Sequence, residues 1–143
     1  MITEFTNRRP TLSAVIIVLL FTLLPGAFML FTDIVSGGTW NSAATVFVYA
    51  LILQLVLWLT VESPILIMLP FIMALLGLIV SEIVYIVSLS MAPIGQGPSA
   101  LAFLFSSTVV TLFGAEVPGN IGGLLIYAVI VIARKLWELV ACR

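Results

Sequence analysis

The chain is 143 residues long, 63% hydrophobic and 8% charged, with a net charge of −1 and a mean hydropathy of +1.36. A soluble domain needs a polar exterior and cannot hide that much apolar surface, so the composition excludes one. It predicts an all-α fold, a polytopic transmembrane helical bundle. The short alternating segments of a membrane β-barrel are absent. A near-neutral charge without a basic run leaves no footprint for nucleic acid or for a polyphosphoinositide-binding arm.

Taken in chain order, the sequence divides into five apolar segments joined by short loops, within one integral membrane domain over residues 1–143. The first is TLSAVIIVLLFTLLPGAFMLFT (11–32), preceded by Arg8-Arg9. It lacks the small-x-small exit of a cleaved signal peptide, so it is expected to be a retained first span with a kink at Pro25-Gly26. A polar break follows, with Gly37-Gly38, a carboxylate at Asp33 and an interfacial Trp40. The second segment (44–61) closes on Glu62-Ser63-Pro64. The third (65–92) exceeds the roughly 20 residues that a bilayer requires, so it tilts or overhangs. The fourth (99–115) and fifth (120–133) are short. Between them, Pro118-Gly119 is expected to turn the chain and Asn120 to cap the fifth segment. Four to five membrane segments are expected in all.

The basic residues lie only at the two ends: Arg8 and Arg9, then Arg134, Lys135 and Arg143. The positive-inside bias places both ends in the cytoplasm, which requires an even number of crossings, whereas five segments are counted.

The residue inventory removes much chemistry. There is no histidine, so a serine–histidine pair, bis-histidine haem ligation and a His-Glu-x-x-His zinc site are all impossible. One aspartate, Asp33, cannot supply a two-aspartate protease site, and the single cysteine, Cys142, allows no disulfide within the chain. Lys135 belongs to a charged tail, where snorkelling to headgroups is the expected role. Among the carboxylates Asp33, Glu62, Glu82 and Glu116, only Glu82 lies well inside an apolar segment, in IVSEIVY. It is the intramembrane polar candidate: a proton or cation group, a partner for a basic side chain, or simply a hydrogen-bonded residue near a long helix's end. Small residues at Ser106, Ser107, Gly122 and Gly123 suit close helix packing. Trp40, Trp58 and Trp137 suit interfacial belts. No cofactor is expected.

GQGPSALAF (95–103) reads as a loop followed by a helix start, with Ser99 as the N-cap. The same stretch carries a family resemblance. IGQGPSALAF resembles the Gly-x-Ser-Gly motif of rhomboid intramembrane serine proteases, with Gly97 and Ser99 in the motif positions. RRPTLSAVIIVLLF resembles that family's basic-Pro-Thr approach to its first helix, and the segment ending at Glu62 is similar to a helix that closes on glutamate. GNIGGLL is similar to the His-x-x-Gly stretch of the last helix, with Asn120 at the histidine position and Gly123 at the glycine. The overall likeness is to a truncated, haloarchaeal-type member. It implies Ser99 and Asn120 as a degenerate catalytic pair. Ala100 replaces the motif's second glycine, and an asparagine does not act as a base.

Three functional expectations follow. The first is a non-catalytic integral protein of the cell membrane, a small subunit or scaffold of a larger complex. It would act through lipid and helix–helix contacts with other transmembrane subunits or with itself. The second is a rhomboid-like pseudoprotease, or a protease with an unconventional base, recognising transmembrane helices. The third is a proton- or ion-coupled transporter component using Glu82.

Overall fold

The computed structural model describes residues 4, 7–36 and 40–141, and every regular element among them is helical. Gly37, Gly38, Cys142 and Arg143 lie outside the described residues, as do the side chains of Asp33 and Trp40. The helices are α1 (Pro10–Val18), a π-helical turn (Leu19–Leu23), α2 (Leu24–Ser36), α3 (Trp40–Thr60), α4 (Pro64–Ser90) and α5 (Ala100–Ala141).

Local chemistry explains the first column. Pro10 opens α1 at a position where its missing amide proton costs nothing, since the first-turn amides have no intrahelical acceptor. Pro25 has no proton for the carbonyl one turn earlier, and its ring crowds that turn. The helix accommodates this one turn before the expected kink, as the wide Leu19–Leu23 turn. The Thr22 hydroxyl donates to the Val18 carbonyl, and the Tyr49 hydroxyl of α3 donates to the Leu20 carbonyl at 2.9 Å. Ser13, Ile17, Phe21, Pro25 and Met29 are buried at a strict four-residue spacing, so one stripe faces the bundle.

On α3 the buried stripe is Val46, Ala50, Gln54 and Leu57, continued by Val61 just past its end, while Val48, Ile52, Val56 and Leu59 point outward and are exposed. An outward apolar face is what lipid contact requires. Three stretches, Pro10–Thr32, Ala43–Thr60 and Pro64–Ser90, are long and apolar enough to cross a membrane, so by length and composition the chain is a helical membrane protein.

The largest correction concerns the C-terminal part of the chain. The expected fourth and fifth segments are one continuous helix, α5, of 42 residues that runs through Pro118. Pro118-Gly119 makes no turn and Asn120 caps nothing. An internal proline removes a single donor, a loss that neighbouring helices in a membrane bundle readily absorb. Gly119 keeps helical backbone angles; the positive φ among the described residues belongs to Gly95, at +86° in the loop before α5.

Specific contacts set the topology. Ala50 meets Gly119, Gln54 meets Gly123 and Trp58 stacks on Tyr127 with ring centroids 5.1 Å apart, so α3 and α5 run parallel. Gly77 lies against Phe113 and Ser88 bonds Ser99, so α4 is antiparallel to α5. Ile17 and Phe21 pack with Leu57 and Val61 while Met29 packs with Val46, so the first column is antiparallel to α3. The result is an up-down-up-down bundle with α5 touching every other column and meeting α3 most extensively. The start of α1 and the far end of α5 share one end of the bundle.

Candidate functional site

The seam between α3 and α5 holds the densest set of buried polar groups. It exists because α5 carries small residues at a four-residue spacing: Ala115, Gly119 and Gly123 are all buried. A methyl carbon built on Gly119 would stand 2.6 Å from the Phe47 carbonyl oxygen, and one on Gly123 would stand 2.8 Å from that of Leu51. The two backbones therefore approach as closely as glycine permits, the packing mode of small-xxx-small helix pairs in membranes.

Beside this glycine edge run Glu116 and Asn120, one helical turn apart, with 1% and 0% exposure. Both carboxyl oxygens of Glu116 and both side-chain polar atoms of Asn120 lack a hydrogen-bond partner among the described residues. Across the seam, Gln54 is wholly buried with its Cβ 3.0 Å from the methyl position of Gly123. Its amide nitrogen donates to the Ile67 carbonyl at 3.1 Å, beside the turn that Pro70 weakens, and its Oε1 is left unpartnered. The Trp58 indole nitrogen, farther along α3, is also buried and unpartnered. Buried polar atoms are nearly always paired, so a run of orphans along one seam is an arrangement that requires a reason.

The structure distributes the sequence-predicted residues differently. Ser99 is a helix cap: its Oγ accepts the Ala102 amide at 3.2 Å and the Ser88 hydroxyl at 3.3 Å, while its own amide donates to Ser88 Oγ at 3.0 Å. Ser99 and Asn120 sit at the cap and in the middle of the same helix, about 30 Å apart at 1.5 Å per residue. No catalytic pair is assembled from them. Glu82 faces outward and is exposed, and Glu62 is exposed at the α3–α4 turn. Ser106 is buried, whereas Ser107 lies nearer the surface and donates to its own Leu104 carbonyl at 3.0 Å. Gly122 meets only the side chain of Leu51, and Gly123 lies in the tight seam.

Sequence reasoning missed Ala115, Glu116, Gly119 and Gln54. The signal was present as the small-residue spacing 115–119–123 with Glu116 and Asn120 one position along, but a presumed turn at Pro118-Gly119 divided it. No protein family, no curated protein and no solved structure matches this chain.

Proposed function

We propose that this protein is a non-catalytic subunit or scaffold of a larger assembly in the cell membrane, crossing the bilayer four times with both ends cytoplasmic. The observation that carries this reading is the far end of α5. The helix is 42 residues long, and at 1.5 Å per residue it measures about 63 Å against a hydrocarbon core of about 30 Å. Every residue from 132 to 141 is exposed, including Leu136, Trp137, Leu139 and Val140 at 58–74%. The same stretch carries Lys135 and an Arg134–Glu138 pair at 3.4 Å. An overhanging helix with large apolar and charged side chains is suited to cover a neighbouring subunit at the cytoplasmic membrane surface.

A fourth crossing by the part of α5 that runs beside α3 also gives the even number that the end charges require. Arg8 and Arg9 at the start of α1 then share a side with Arg134 and Lys135. The outward faces of α1, α3 and α4 supply the lipid and helix contacts.

The test is site-specific photo-crosslinking from Trp137 and Leu139 in native membranes, with Leu23 and Ile52 as lipid-facing comparisons. Crosslinks to one defined membrane protein from the tail positions, surviving in a stoichiometric complex in mild detergent, support the reading. A chain that purifies alone and crosslinks only lipid from all four positions refutes it.

A further inference from the structure

We propose that Glu116 is the binding site for a small monovalent cation, a proton or Na⁺, held inside the bundle with Asn120, one turn along the same helix, as its neutral oxygen partner. Three observations carry this. First, Glu116 is 1% exposed and neither carboxyl oxygen has a partner among the described residues. A lone carboxylate at membrane depth is among the least tolerated groups and marks a functional position. Such enclosure bars the ammonium or guanidinium of another chain, so a counter-charge must be small enough to enter the seam.

Second, the donor one turn along the same helix is a hard, neutral oxygen. Asn120 is fully buried and its side-chain polar atoms are unpartnered among the described residues. One formal negative charge with an amide oxygen matches one positive charge. No group of three His, Cys, Asp or Glu residues placed to hold a metal occurs among the described residues, so the donor set does not suit a divalent or transition metal.

Third, the position is graded in depth. Glu116 lies level with Val46 and Phe47, about one turn inside the Ala43 end of the α3 span, because Gly119 meets Phe47 and Ala50. Asn120, Gln54 and then Trp58 continue deeper along the same seam. The hydrophobic side chains packed around this level among the described residues include Met29 from α2, and Ala74 and Leu78 from α4. From α3, the titratable side chain within about one turn of that level is Tyr49, and its hydroxyl donates to the Leu20 carbonyl. Glu82, exposed on α4, offers none of this enclosure. The inference is independent of the subunit reading and stands or falls separately from it.

The experiment is infrared difference spectroscopy on the full chain in lipid nanodiscs, perfused alternately with NaCl and choline chloride at fixed pH, then across pH without Na⁺. A carboxyl difference band on Na⁺ exchange that is lost in Glu116→Gln and retained in Glu82→Gln establishes Na⁺ as the occupant. A band that responds to pH alone, with the same mutant dependence, establishes the proton. In either case Asn120→Ala is expected to move the midpoint at least threefold. If Glu116→Gln folds with unchanged helical content and neither exchange yields a band that depends on Glu116, the proposal is overturned. A band that instead depends on Glu82 overturns it equally.

Discussion

Replacing Gly119 by alanine tests the α3–α5 seam most directly. The added methyl would stand 2.6 Å from the Phe47 carbonyl oxygen, 2.9 Å from the Ala50 Cβ and 3.2 Å from the Leu51 amide nitrogen. A carbon–oxygen contact relaxes at about 3.3 Å or more, so the helices must part locally by roughly 0.7 Å. A radial gap of that size forfeits about a quarter to a half of each dispersion contact along the line. Backbone atoms cannot swing aside as a side chain can. The expected loss is therefore about 1–3 kcal/mol, in the range for overpacked cores. Gly123→Ala, at 2.8 Å from the Leu51 carbonyl oxygen, should cost a similar amount. The double variant should cost less than the sum, because one separation relieves both clashes. Gly114→Ala is the control: its methyl meets nothing within 4 Å, and the better helix former should leave stability unchanged or raise it by up to about 1 kcal/mol. The assay is denaturant unfolding in mild detergent, followed by tryptophan fluorescence. Equal stabilities for Gly119→Ala and Gly114→Ala would show that the seam is not where the backbones meet.

Other outcomes follow from the same geometry. Ser99→Ala removes the oxygen that accepts the Ala102 amide and should destabilise by about 1 kcal/mol, whereas Ser99→Asp should restore most of it. A loss that Ser99→Asp leaves untouched would argue against capping. Pro118→Ala should keep or raise stability, since Pro118 is exposed and the helix around it is continuous. A marked loss of fold in that variant would restore the case for a turn there. Tyr49→Phe should cost about 1 kcal/mol by leaving the Leu20 carbonyl without its side-chain donor, read in the same unfolding assay against Tyr85→Phe as the comparison.

Much of the fold could be read from the sequence because membrane insertion depends on quantities that sum along the chain. Hydropathy over some 20 residues places the cores of α1–α2, α3 and α4 without any neighbour being known. The absence of histidine likewise removes whole classes of chemistry before any coordinates exist. The capping geometry at Ser99 was legible for the same reason, since a cap is built from residues adjacent in sequence. Pro118-Gly119 was not legible. The same dipeptide turns a chain in water and is absorbed within a helix when another helix packs against the glycine. Glu82 and Glu116 show the same limit. Their local sequences suggest that Glu82 is the deeper group, yet helix phase turns it outward while Glu116 is enclosed by α3. Burial belongs to the meeting of two helix faces, and that meeting is set by packing between residues some 70 positions apart, as at Ala50 and Gly119. The sequence by itself determined a helical membrane protein and where its apolar stretches lie; tertiary packing alone decided which small residues form the seam and which carboxylate it encloses.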